Sequence, residues 1–193
     1  MGCSLTPIAE TLSPDSLCYF KAKADAFARK KISDPAEAER VAQTIAAIGY
    51  LESRFGYVNK WKTEDGDPAW NWGALIALKG QPTVNIPGAP TMRAYESTDA
   101  ALASFWATWA RSDTLAAARR GDTFAVSAAM GAHGYYGPVP PLEYAKTIQG
   151  AARSLYGEGV KIEVKEPSKF GFLLPLGIAL AGVSLLWYLA KRR

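Results

Sequence analysis

Residues 170–190 form 21 consecutive positions without a single charged side chain. A helix rises about 1.5 Å per residue, so the run would extend roughly 30 Å, the thickness of a bilayer's hydrocarbon core. Trp187 and Tyr188 fall where an interfacial aromatic belt is expected, and the basic tail Lys191, Arg192 and Arg193 would stop transfer. Pro175 and the glycines are tolerable in a membrane helix. A buried core helix rarely reaches this length without a charge, so the run predicts one C-terminal transmembrane helix. Its orientation is unspecified, because Lys161, Lys165 and Lys169 flank the other end. The first 15 residues lack the basic start and apolar run of a secretory signal.

The rest must form a globular domain. With 49% apolar and 21% charged residues in 193, the chain can bury a core, and global disorder is not expected. The formal charge is +4, but without the last three residues 19 basic groups face 18 acids. No lysine- and arginine-rich stripe is present to displace phosphate counterions, so nucleic-acid binding is not expected. Cys3 and Cys18 are too few for a disulfide framework, and the redox compartment stays open.

Ser13-Pro14-Asp15 has the cap, first-turn proline and first-turn acid of a helix start, with Leu17, Phe20, Ala24 and Phe27 following at helical spacing. Ser33-Asp34-Pro35 opens a second helix with Val41, Ile45 and Ile48 on one face and Gly56 as its stop. Residues 57–96 hold Trp61, Trp70, Trp72, prolines and glycines without a 3.6-residue period. They predict an irregular lobe with at most a short hairpin. Ser97-Thr98-Asp99 starts a third helix with Leu102, Phe105, Trp106 and Trp109 as its apolar stripe. Shorter helices are expected at 113–120 and 123–132, ended by Gly121 and Gly134. Pro140-Pro141 opens a last helix that buries Leu142, Ala145, Ile148, Ala152 and Leu155. The divisions are an N-terminal helical extension (1–32), a mainly α domain with a small irregular or β lobe (33–156), a polar linker (157–169), the membrane helix (170–190) and the basic tail (191–193). Within the linker, Val160, Ile162 and Val164 alternate like a strand.

Glu52 is the candidate catalytic residue. It lies four, seven and eleven residues after Ile48, Ile45 and Val41, which puts its carboxyl on the apolar face of the second helix. A buried acid is costly unless paired, and the last turn of a helix disfavours negative charge. Both effects hold the proton on, as a general acid at neutral pH requires. An ion pair with Arg54 or another base at the helix end explains the periodicity equally well.

Four segments then carry a resemblance. Leu51-Glu52-Ser53-Arg54-Phe55-Gly56 looks like the glutamate-serine start of the active site in the glucosaminidase family of peptidoglycan hydrolases and in lysozyme-like lytic transglycosylases. Asn71-Trp72-Gly73-Ala74-Leu75, with Lys79-Gly80 after it, resembles the family's asparagine–aromatic–glycine–aliphatic segment. Arg93-Ala94-Tyr95-Glu96-Ser97 resembles its strand-to-helix junction. Gly134-Tyr135-Tyr136-Gly137-Pro138 with Glu143-Tyr144-Ala145 resembles its glycine-tyrosine loop and closing helix. The segments occur in the family's order over residues 38–156.

The resemblance implies a two-lobed lysozyme-like domain with a sugar cleft, and Glu52 as general acid. It implies that Tyr135 or Tyr136 stands beside the reacting sugar, Tyr135 being the first choice, while Ser53, Asn71, Trp72, Tyr95 and Tyr136 bind substrate. The family's lysine is displaced here to Lys79, and Gly137-Pro138 replaces small and acidic residues. A second carboxylate is unassigned: Glu64, Asp65 and Asp67 form an acidic loop where hydrolytic members can keep one, although Asp-Gly-Asp-Pro also reads as a solvated turn. Hydrolase and transglycosylase therefore both stay open. His133 is the single histidine, no group has metal-ligand spacing, and Ser53 has no histidine near it, so neither metal, cofactor nor serine triad is expected.

The expected function is a membrane-anchored enzyme cutting the β-1,4 glycan strands of peptidoglycan. The alternative is a non-catalytic lysozyme-like structural or wall-binding membrane protein. A C-terminal anchor without an export signal is expected in a membrane-containing bacteriophage virion, where similar enzymes occur, or in a bacterial envelope.

Overall fold

A computed structural model describes residues 17–53, 69–71, 74–85 and 91–166. Six α-helices lie among them: α1 (Leu17–Lys31), α2 (Pro35–Ser53), α3 (Thr98–Trp109), α4 (Ser112–Arg119), α5 (Thr123–Ala132) and α6 (Pro141–Tyr156). The expected membrane helix, the N-terminal start signal at 13–15 and Gly56 lie outside the described residues. Among the described helices none is long and apolar enough to cross a membrane.

The helix starts follow from local chemistry. Asp34 accepts from the Glu37 amide at 2.8 Å, Ser97 from Ala100 at 3.1 Å, and Asp122 from Ala125 at 3.0 Å. Each cap satisfies a first-turn N–H that the helix itself leaves unpaired. α6 begins instead at consecutive prolines, whose fixed φ and missing N–H suit a helix start. Gly121 and Gly134 end α4 and follow α5 with φ of +68° and +70°, in the left-handed region that favours glycine.

α2 departs from its expected single apolar face. Val41 to Ile48 are all buried, Gln43 and Thr44 included. α1, α4 and α6 pack around it, and its many alanines leave room for that approach. Each fully buried isoleucine contributes about 1.5–3 kcal/mol from leaving water. The polar Gln43 is satisfied by the segment after α6: its Nε2 donates to the Gly159 carbonyl at 2.9 Å and its Oε1 accepts from the Lys161 amide at 2.6 Å.

Those two bonds change the reading of the expected linker. Over 157–166 it is a 3-10 turn (Gly157–Gly159) followed by an extended strap docked on the domain. Ile162 is buried in the core, and the strap forms a parallel bridge at Asp122 and Glu163. The period-two alternation of 160, 162 and 164 therefore reports a real extended segment. The N-terminal extension is likewise part of the domain. Phe20, Ala24, Ala28 and Ile32 enter the same core, Phe27 meets Trp106 edge-on at 5.8 Å, and Cys18 is disulfide-bonded.

The irregular lobe contains a short antiparallel pair, β1 (Thr83–Val84) and β2 (Met92–Arg93), with Ile76 bridged to Met92. A small second core of Ala69, Val84, Met92 and Ala94 lies beneath it. Between this lobe and the helices is a cleft.

Candidate active site

The cleft has a volume of about 350 Å³ and is lined by residues from both lobes. Glu52 stands in it at the end of α2. Ala74, Leu75, Ile76, Leu78, Gln81 and Arg93 come from the irregular lobe, and Thr108, Arg111, His133, Gly134 and Tyr135 from the helices. Ile76 and Leu78 are 61% and 70% exposed, an apolar surface presented to whatever enters.

Glu52 has one hydrogen-bond partner among the described residues, and it is not a base. The Tyr144 hydroxyl, on α6, donates to Oε1 at 2.6 Å. Burial pushes the Glu52 carboxyl above its ordinary value, and the Tyr144 hydrogen bond opposes that shift without cancelling it. The alternative of an ion pair finds no described base at Glu52, while Arg54 lies outside the described residues.

Two tyrosines adjoin this carboxyl, and a third backs one of them. Burial drives the Tyr144 phenol far above its usual value, with the adjacent Glu52 acting in the same direction. Burial and then Glu52 do the same to Tyr135, so both phenols keep their protons. Tyr135 lines the cleft and meets Phe105 edge-on at 6.1 Å. Tyr136 is not among the cleft-lining residues. Its ring stacks on Tyr144 at 4.1 Å, and its hydroxyl donates to the Ser127 carbonyl at 2.7 Å. Tyr136 therefore backs Tyr144 rather than facing the opening. Gly131 makes room for it, since a Cβ there would come within 2.8 Å of the Tyr136 hydroxyl.

Asn71 and Tyr95 also act one layer down. Asn71 is fully buried: its Nδ2 donates to the Leu75 carbonyl at 2.8 Å and its Oδ1 accepts from the Leu75 amide at 2.9 Å. This clamp holds a turn in which Ala74 adopts a φ of +49°, and it sets the cleft wall at Ala74 and Leu75. Tyr95 is buried, donates to Ser104 at 3.0 Å, and lies under the Arg93 guanidinium at 4.9 Å. Trp72, Asp65, Asp67, Glu64 and the Ser53 side chain lie outside the described residues.

Four residues of the site escaped assignment from sequence. Tyr144 and Arg93 stood in the matched segments, but nothing in their spacing marks a partner for Glu52 or a charge in the cleft. Arg111 and His133 enter because the turns after α3 and α5 meet at the cleft. Arg111 Nη1 donates to His133 Nδ1 at 3.1 Å, and His133 Nε2 lies 2.9 Å from an Asp113 oxygen. That histidine bond holds the Asp113 carboxyl below its ordinary value. Among the described residues no group of three or more histidine, cysteine, aspartate or glutamate side chains could hold a metal ion.

No family model and no curated protein sequence matches the chain. Solved structures do match its fold. A mutant of a peptidoglycan hydrolase from Sphingomonas sp. A1 superposes with a TM-score of 0.55 at 21% identity, over 72% of this chain and 94% of that one. The glycoside hydrolase domain of FlgJ from Salmonella typhimurium superposes with a TM-score of 0.51 at 20% identity, over 74% and 88%. The chain therefore has the mainly helical, lysozyme-like fold of these glycoside hydrolases.

Proposed function

We propose that the chain cleaves the β-1,4 glycan backbone of peptidoglycan, as an N-acetylglucosaminidase or a lytic transglycosylase, with Glu52 as general acid. The observation that carries this reading is a half-buried carboxyl in an open cleft whose described partner is a phenol and not a base. The fold neighbours named above, a peptidoglycan hydrolase and a glycoside hydrolase domain, support the substrate class.

The chemistry follows from that environment. Tyr144 occupies Oε1, which leaves Oε2 to carry the acidic proton toward the cleft. Oε2 delivers the proton to the glycosidic oxygen as the bond to the anomeric carbon breaks, and the leaving sugar departs with a free hydroxyl. The Glu52 carboxylate so formed is met by the Tyr144 hydrogen bond, which strengthens as charge develops. The Tyr135 phenol, protonated beside Glu52, positions the reacting sugar. The oxocarbenium-like centre is then captured by water, or by the sugar's own 6-hydroxyl, whose proton returns to the Glu52 carboxylate as the anhydro product forms. Asp65 or Asp67 is the candidate base for the water route. Residues 170–190 anchor the domain to a virion or envelope membrane, which keeps the cleft near the wall it cuts.

The test is digestion of purified peptidoglycan by the full chain in mild detergent, beside Glu52→Gln, with products read by mass spectrometry. The wild type should release glycan fragments and the variant about 10²–10⁴-fold fewer. New reducing ends identify a hydrolase, and anhydro-sugars a transglycosylase. Wall binding without cleavage by the folded wild type would overturn the enzymatic reading in favour of a structural, wall-binding domain.

A further inference from the structure

The cleft carries more positive charge than the acid chemistry uses. Arg93 and Arg111 both line it, and neither has a carboxylate partner among the described residues. Some basic groups elsewhere in the domain do find a carboxylate: Lys21 pairs with Asp25, Lys23 with Asp99 and Arg119 with Glu37. What sets these two arginines apart is their place, on the wall of the cleft that holds Glu52.

Both guanidiniums are held in place from behind. Arg93 lies over the Tyr95 ring at 4.9 Å and donates from Nη1 to Ser104 at 3.0 Å, while its Nε is buried with no hydrogen-bond partner. Arg111 is held by a relay. An arginine has no acceptor, so His133 Nδ1 must accept its hydrogen bond, and the ring proton sits on Nε2, directed at Asp113. The only carboxylate of this relay is therefore on the far side of the imidazole ring. Arg93 is half-buried with one nitrogen unpaired, which is costly, Arg111 is exposed, and a planar carboxylate is the group their donor forks fit best.

We propose that Arg93 and Arg111 select a glycan that bears free carboxylates beside the bond to be cut, and discriminate against neutral β-1,4 glycans. This deepens the peptidoglycan reading and rests on it. Two sources supply the same chemistry: the lactyl acid on the sugar itself, free once peptides are removed, and the carboxylates of the attached peptides. The guanidiniums act as specificity residues in binding. They have no part in proton transfer.

The test reads binding separately from cleavage. Calorimetry would use the full chain in detergent, carrying Glu52→Gln so that ligand survives. The probes are soluble peptidoglycan fragments, the same fragments with carboxylates amidated, peptide-free strands, and chitin oligomers. Amidation should raise Kd at least tenfold. Arg93→Gln and Arg111→Gln should each raise Kd about tenfold on the acidic fragments and leave the amidated ones unchanged. Arg→Lys should recover part of the loss, and Tm should be unaltered in all four variants. Tight binding of peptide-free strands assigns the lactyl acid, and loss with the peptides assigns the peptide carboxylates. Equal affinity for acidic and amidated fragments, equal losses on both, or no binding of any fragment would overturn the proposal. If the wild type then fails to cut fragments that bind in this arginine-dependent way, the cleavage reading falls while carboxylate selection stands.

Discussion

The Tyr144 hydroxyl donates to Oε1 of Glu52 at 2.6 Å across 92 positions of sequence, joining the first turn of α6 to the final turn of α2. One oxygen of the acid is thereby oriented by protein, in a residue that lines the cleft. The stack of Tyr136 on Tyr144 extends this support to α5 through Ser127.

Tyr144→Phe removes the interaction that lowers the Glu52 pKa and leaves the larger effect of burial in place. The acid must be protonated to act, so activity declines as pH rises through the Glu52 pKa. The variant should move that alkaline limb to higher pH and reduce kcat about tenfold, through lost support of the developing carboxylate. A pH profile of glycan release checks it, and an unmoved limb would show that Tyr144 does not couple to the acid.

Glu52→Gln should stabilise the domain at neutral and alkaline pH while abolishing cleavage. Glu52 has a folded pKa above its unfolded value, so the folded state binds its proton more tightly. Stability from this group is fully present below the unfolded pKa and is lost as pH rises through the folded one. The Tm of the variant should match the wild type near pH 4 and exceed it at pH 8. A wild type more stable than the variant at pH 8 contradicts burial as the dominant cause.

Gly121→Ala should cost about 2 kcal/mol or more. A side chain at φ +68° is strained, and its Cβ would come within 2.7 Å of the Lys161 carbonyl and 2.8 Å of Arg40 Cδ. Because the clash is with the strap, residues 160–166 should lose hydrogen-exchange protection first. Uniform loss across the domain would argue that the strap is not a separate unit.

Ile148→Ala, at a fully buried site on α6, should destabilise by about 2–5 kcal/mol. Denaturant unfolding measures it. A cost under 1 kcal/mol would mean that α6 does not carry the core between α2 and α5.

Much of the helical framework could be read from local chemistry. Asp34, Ser97 and the proline pair announce their helices because capping involves residues within one turn. Glu52 could be singled out in the same way, since its offsets from Val41, Ile45 and Ile48 depend only on helical geometry. Periodicity shows which side of a helix a residue occupies and is silent about what stands opposite.

That limit separates the two kinds of determination. The sequence alone determined where the helices from α3 to α6 begin, that the described parts of 57–96 would break the helical pattern, and that one acid would face inward. Only the tertiary structure decided that α2 is enclosed from Val41 to Ile48, that residues 157–166 dock on it through Gln43, and that Tyr144 is the partner of Glu52. It also decided that Tyr136, Asn71 and Tyr95 support the cleft from behind, while Arg93, Arg111 and His133 face it. The physical reason is range: caps and apolar periods are set by neighbours within a few residues. A hydrogen bond or an unpaired charge in a cleft depends on which distant helices pack together.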